Sequence, residues 1–192
     1  MSRQNDLLSV DWSQIPAPED DGAARHLIGA RLPPVALLAT DDSTVTLSEL
    51  PGRTVVFGYP RTGEPGKIAL VDDWDMIPGA RGCTPQNCAF RDLFADLKAA
   101  GARHVFGLST QSNAYQSEMA GRLHLPFPVL SDESLELTRA LDLPTMEVAG
   151  LVMIKRLALI IDDGCITQVF YPVFPPDRNA GDVLTWLKAN PR

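Results

Sequence analysis

Long apolar runs are missing from this chain, and nothing in it is long enough to span a membrane. The opening MSRQNDLLSVDW lacks the apolar segment of a secretory leader. Basic excess is missing too. A formal net charge of −7 counts against a nucleic-acid partner, which usually meets a basic face. Cysteine is scarce, with three in 192 residues. An untargeted chain of this kind is expected in the cytoplasm, where thiols are kept reduced. A cysteine pair there is catalytic, redox-sensing or metal-binding rather than a permanent staple. Internal repeats and low-complexity tracts are absent, and so is Cys-x-x-Cys. What remains is 45% hydrophobic, enough for one globular domain with a real core.

Two of the three cysteines fall in one stretch, PGARGCTPQNCAFRDLFADL, from Pro78 to Leu97. Cys83 stands just before a predicted helix and Cys88 within it, with Thr84 expected as N-cap and Pro85 at the first helical position. Phe90, Leu93, Phe94 and Leu97 recur at the spacing of one buried helical face. A thiol at a helix entrance meets unpaired backbone N–H groups and the positive end of the dipole, which favour the nucleophilic thiolate. Cys83 is therefore expected to be the reactive thiol.

The rest of the chain builds around that helix. Residues 1–30 read as an N-terminal arm with a short helix over Asp21–Ala30, and residues 31–192 as the domain. Val35–Leu38 and Thr44–Leu47 suggest a hairpin around Asp41-Asp42-Ser43. Core strands are predicted at Thr54–Tyr59 and His104–Ser109, separated by a long loop, anchored by Ile68, Leu70, Trp74 and Ile77, and by the cysteine helix, which Gly101 stops. A helix over Asn113–Leu123 follows, then a short extended segment at Pro126–Leu130. Ser131-Asp132 caps a helix running to Leu141. Asp163-Gly164 joins strands Leu157–Asp162 and Ile166–Tyr171, and the last helix covers Ala180–Ala189. This order predicts an α/β protein of the thioredoxin-like kind, a mixed central sheet flanked by helices on both faces.

The run Cys83-Thr-Pro-Gln-Asn-Cys88-Ala-Phe-Arg91-Asp92 resembles the active helix of the bacterioferritin-comigratory, PrxQ-type peroxiredoxins. The likeness continues through FGYPRTG, HVFGLST, LPFPVLSDE and RLALIIDDG, covering residues 33–171. The resemblance implies reduction of hydrogen peroxide and organic hydroperoxides. Cys83 becomes the peroxidatic cysteine, oxidised to a sulfenic acid, and Cys88 the resolving cysteine that condenses with it. Thioredoxin or a similar dithiol protein then restores both thiols. Arg156, with Lys155 as the alternative, takes the place of an arginine that reaches the peroxidatic sulfur. Tyr59, Gly82 and Thr84 are expected around the substrate. No metal or organic cofactor is implied, and the protein is expected as a monomer or a homodimer.

Geometry adds a demand. On an intact helix, residues five apart have Cα atoms roughly 8–9 Å apart, whereas a disulfide tolerates about 7 Å at most. The first turns must unwind before Cys83 and Cys88 can bond. The sequence also departs from the family's Pro-x-x-x-Thr-x-x-Cys pattern, because Ala80 stands where the threonine belongs and the nearest proline is Pro78. Thr62 and Thr84 are the candidates to replace that hydroxyl. Arg81 either adds positive charge near Cys83 or faces solvent, and the loop over residues 61–77 reads as an insertion at the mouth of the site. Three other readings stay open: a pair of buried structural cysteines, a thiol–disulfide oxidoreductase, and a redox sensor without turnover. Structural zinc needs four ligands, and Cys165, His26, His104 and His124 show no ligand-like spacing. Cys165 is expected to be incidental.

Overall fold

The computed structural model describes residues 10–192. Its seven-stranded mixed sheet uses β1 (Ala36–Ala39), β2 (Thr44–Thr46), β3 (Arg53–Gly58), β4 (His104–Ser109), β5 (Val129–Ser131), β8 (Leu157–Asp162) and β9 (Cys165–Phe170). The strand order is β2-β1-β5-β4-β3-β8-β9. β3, β4 and β5 run parallel, in register Val55↔Val105 and Leu108↔Leu130, while β8 pairs antiparallel with β3. The helices are α1 (Cys83–Asp92), α2 (Phe94–Ala99), α3 (Asn113–Arg122), α4 (Glu136–Ala140) and α5 (Asn179–Ala189).

β3 is buried along its whole length, and its alternation divides the core in two. Val55, Phe57 and Tyr59 face the layer that contains Cys83, Phe90, Leu97, Met119, Val183 and Leu187. Val56 faces the other, with Leu27, Leu37, Phe106, Leu137 and Leu159. Phe57 and Phe90 stack with ring centroids 3.9 Å apart, fastening α1 to the centre of the sheet. Each such aromatic or aliphatic side chain contributes about 1.5–3 kcal/mol through burial.

Several expectations are corrected in detail. α1 begins at Cys83 itself. Gly82 is the N-cap, at φ +105°, which displaces Thr84 from that role and puts Pro85 two residues inside the helix. The helix does not run unbroken to residue 100. It breaks at Leu93 (φ −98°, ψ 7°), and α2 carries the same apolar face on to the Gly101 stop at φ +100°. The expected helix over residues 21–30 is only a single 3₁₀ turn, Arg25–Leu27. Residues 1–9 of the expected arm lie outside the described residues, and farther along it Ala24 and Leu27 are buried in the core. The helix expected directly after Ser131-Asp132 starts only at Glu136. Asp132 nonetheless caps it from a distance, its carboxylate accepting from the Leu137 and Thr138 N–H groups at 3.1 and 2.7 Å.

A second sheet was not foreseen at all. β6 (Thr145–Val148) and β7 (Leu151–Ile154) form a separate hairpin. Its turn places Ala149 at φ +51° and Gly150 at φ +76°. Alanine there gives none of the Asn-Gly or Asp-Gly signal that usually reveals such turns. Among the described residues, no helix is long and apolar enough to cross a membrane.

Candidate active site

The site forms where the C-terminal end of β3 meets the N-terminus of α1. Gly58 closes the β3 register against Leu108 on one side and Leu157 on the other. The chain then passes through Tyr59 and Pro60 into the long loop and returns at Ala80 to start α1. Gly82 is required at this entrance. Besides its positive φ, an added Cβ would sit 2.5 Å from Pro176 Cγ and 2.8 Å from Trp12 Cη2. Trp12 is held in place by Nε1 donating to Asp177 Oδ2 at 2.9 Å and by an edge-on contact with Phe174.

Cys83 is the first residue of α1 and only 3% exposed. Its thiol donates to the Ala80 carbonyl at 3.5 Å. Arg156, 2% exposed just before β8, brings Nη2 to 3.3 Å from the Cys83 sulfur. The same Nη2 faces the carbonyls of Gly79, Ala80 and Arg81 at 3.2, 3.4 and 3.0 Å, so the loop before Cys83 wraps the guanidinium. Nη1 donates to Gln86 Oε1. Lys155, the alternative to Arg156, is instead paired with Asp21 at 2.7 Å.

Cys88 is buried farther along α1, within the same core layer as Cys83. Burial pushes its thiol up in pKa, which keeps it protonated at neutral pH. The three thiols are unpaired. Cys165 lies on β9, at the far end of the β8–β9 hairpin from Arg156, and its sulfur faces the Gly29 carbonyl at 3.6 Å.

The remaining expected residues scatter in informative ways. Tyr59 is fully buried and donates to Gln116 Oε1 at 2.9 Å. Burial first, and the neighbouring Cys83 second, drive its phenol well above the ordinary range, so it stays neutral. Thr84 is buried at the second position of α1. Thr62 is buried as well, but its hydroxyl is committed to Gln111 Oε1 at 3.2 Å and its N–H to the same oxygen at 2.9 Å. Ala80 is fully buried and offers the site only its backbone. Arg81 forms an ion pair with Asp75. Of the supposed loop anchors, Leu70, Trp74 and Ile77 are half-buried, while Ile68 is 88% exposed and anchors nothing. Among the described residues, no three His, Cys, Asp or Glu side chains converge as metal ligands.

Sequence reasoning missed four contributors. Gln86 stands one turn after Cys83 on α1, a spacing that marks it as a neighbour of the sulfur in retrospect. Asn179, whose Oδ1 accepts from Gln86 Nε2 at 2.9 Å, comes from α5, 93 residues away. No local pattern reveals it, nor the Trp12 and Pro176 wall around Gly82.

A mixed sheet with helices on both faces, and a buried cysteine opening a helix against an arginine, define a thioredoxin-fold thiol protein. The Redoxin family profile matches residues 27–184, and the chain belongs to that family. Its relatives include the chloroplastic peroxiredoxin Q of Oryza sativa subsp. japonica, 29% identical over 162 residues, spanning 84% of this chain and 66% of that protein. The chloroplastic peroxiredoxin Q of Triticum aestivum is 28% identical over 176 residues, spanning 88% of this chain and 73% of its own. The chain thus spans just under two thirds of the rice relative's length. Among solved structures, peroxidoxin BcpB from Mycobacterium tuberculosis superposes with a TM-score of 0.67 at 25% identity, over 86% of this chain and 98% of that one. Xanthomonas campestris peroxiredoxin Q gives 0.64 at 24% identity, over 81% and 90%, and speaks to the fold.

Proposed function

We propose that this protein is a thiol-dependent peroxidase of the peroxiredoxin Q type, reducing hydrogen peroxide and organic hydroperoxides through Cys83 and Cys88. The observation that carries the reading is the 3.3 Å contact between Arg156 Nη2 and the Cys83 sulfur at the entrance of α1. A cationic fork there favours negative charge on sulfur and meets the oxygen charge that develops as the O–O bond stretches.

The chemistry follows from these groups. The Cys83 thiolate attacks one peroxide oxygen, so an S–O bond forms as the O–O bond breaks. The departing alkoxide or hydroxide takes up a proton and leaves as alcohol or water, and Cys83 is left as a sulfenic acid. Cys88 then gives up its proton and attacks the Cys83 sulfur. The S–S bond forms and the hydroxyl leaves as water. Thioredoxin or a similar dithiol protein, oxidised in turn, returns both thiols by exchange. Gly82, Thr84 and Tyr59 surround the sulfur as the wall of the substrate site. The cytoplasm, where thiols are kept reduced, suits three unpaired cysteines.

Treatment of the reduced protein with one equivalent of hydrogen peroxide, followed by peptide mass spectrometry, tests this directly. An intramolecular Cys83–Cys88 bond, absent in Cys83→Ser, with thioredoxin-dependent peroxide consumption, is the expected result. Thiols that stay unreacted would overturn the reading. One feature favours a second reading. Ala80 brings no hydroxyl to the site and Thr62 is tied to Gln111, which suits a redox sensor that oxidises once. Stoichiometric oxidation without turnover would select it.

A further inference from the structure

Arg156 is a buried cation with an unusual set of partners. Gln86 Oε1, the carbonyls of residues 79–81 and the Cys83 sulfur are all neutral when the thiol is protonated. Among the described residues, no carboxylate lies within ion-pair distance of it. Its Nε is buried with no hydrogen-bond partner among those residues. A buried charge without a counter-ion is costly. The acidic group that the guanidinium touches is Cys83.

The neutral shell has a direction. A guanidinium only donates, so Gln86 must present Oε1 to it and turn Nε2 away. That leaves a buried N–H group needing an acceptor, and Asn179 Oδ1 supplies it at 2.9 Å. Both side chains are buried. Asn179 thereby fixes which end of the Gln86 amide faces Arg156. Flipping that amide would place a donor against a donor.

We infer that Gln86 and Asn179 form a neutral amide relay that holds Arg156 on the Cys83 sulfur with its charge uncompensated, leaving the thiolate as its counter-ion. The inference rests on the peroxidase reading for its purpose, though not for its geometry. Gln86 and Asn179 are positioning residues, acting through Arg156. A carboxylate at position 86 would bind the guanidinium more tightly and spend its charge. The other ionisable groups on elements around Cys83 include the neutral Tyr59 phenol, the Arg81–Asp75 pair, Cys88, the Arg91–Asp92 pair at the end of α1, Asp177, which is held by Trp12, its neighbour Arg178, and Asp182 and Lys188 on α5.

Two variants test the relay, Asn179→Leu and Gln86→Glu. The rate of Cys83 alkylation by iodoacetamide is followed against pH, with the modified site read by peptide mass spectrometry. Hydrogen peroxide consumption is measured in parallel, and thermal melts establish that each variant folds. Both variants are expected to raise the pH midpoint of Cys83 alkylation by about one unit, cutting the thiolate present below that midpoint roughly tenfold. Peroxide consumption falls with it. If Asn179→Leu fails to fold, Gln86→Glu decides the matter, since its side chain keeps the native size and the acceptor toward Arg156. A folded variant with the parent's alkylation midpoint overturns the relay. A parent protein that alkylates normally but consumes no peroxide counts against the peroxidase reading instead, and the midpoint shift still decides the relay.

Discussion

At the residue scale, the two cysteines of one helix stand in different surroundings. Cys83 meets a guanidinium and the open end of α1, while burial raises the pKa of Cys88 and keeps it a thiol at neutral pH. In the proposed reaction, attack on peroxide falls to Cys83 and resolution to Cys88. The guanidinium's value lies in its fork. One Nη serves the sulfur and three carbonyls while the other serves Gln86. Lysine would keep the charge but lose that geometry. Arg156→Lys is expected to fold and to lower the second-order rate with hydrogen peroxide by about 10²-fold, the scale of losing one transition-state donor. Stopped-flow peroxide consumption, with circular dichroism as the folding control, measures it.

At the scale of the element, the proposed chemistry asks α1 to be both firm and able to open. It is firm because Phe90 stacks on Phe57 and because Gly82 is packed against Pro176 and Trp12. The proposed disulfide requires it to open, because residues five apart on an intact helix stand roughly 8–9 Å apart, beyond a disulfide's reach of about 7 Å. Backbone hydrogen exchange over residues 83–92 is expected to be slow in the reduced protein and fast after peroxide treatment. Equal protection in both states would mean that the pair never bonds. Gly82→Ala puts a methyl into the Pro176 and Trp12 contact at a left-handed φ. It is expected to lower stability by about 1–3 kcal/mol, a strained-backbone cost, read as a reduced melting temperature together with lost peroxide activity. Gly101→Ala, also at positive φ but in open space, separates the two causes, since it carries the backbone strain without the clash.

Across the whole molecule, the end of the sheet opposite the site is tied together by one residue. Arg53 donates to both Asp162 oxygens at 2.9 Å, donates to the Asn190 carbonyl, and lies over the Trp186 ring at 5.1 Å. It ties the start of β3 to the end of β8 and to the C-terminal helix. The hydrogen bonds from Arg53 hold the Asp162 carboxyl below its ordinary pKa. A depressed folded-state value stabilises the protein above the unfolded value of about 3.9, and this stabilisation is lost as pH falls through the folded value. Asp162→Asn is expected to cost about 1–3 kcal/mol at neutral pH, the range for a charged hydrogen-bonded partner. The difference from the parent should shrink as melts are repeated from pH 6 down toward pH 2. A gap that stays constant across that range would show that the carboxylate's charge carries none of the stability.

Local pattern by itself determined a good deal of this protein. Short β-branched and aromatic runs marked β3 and β4, the Asp163-Gly164 turn marked the β8–β9 hairpin, and Gly101 marked the end of the cysteine helix region. These signals are short-range, because each depends on the conformational preferences of adjacent residues or on one helical or strand period. The tertiary structure decided the rest. Gly82 took the N-cap from Thr84 because only glycine fits between Pro176 and Trp12. Thr62, close in sequence to the site, was drawn off to Gln111. The β6–β7 hairpin turned on an alanine that gives no turn signal. Asn179 reached Gln86 across 93 residues because α1 and α5 pack on the same face of the sheet. Contacts of that kind are settled by which elements share a face, and the spacing of residues along the chain does not encode them.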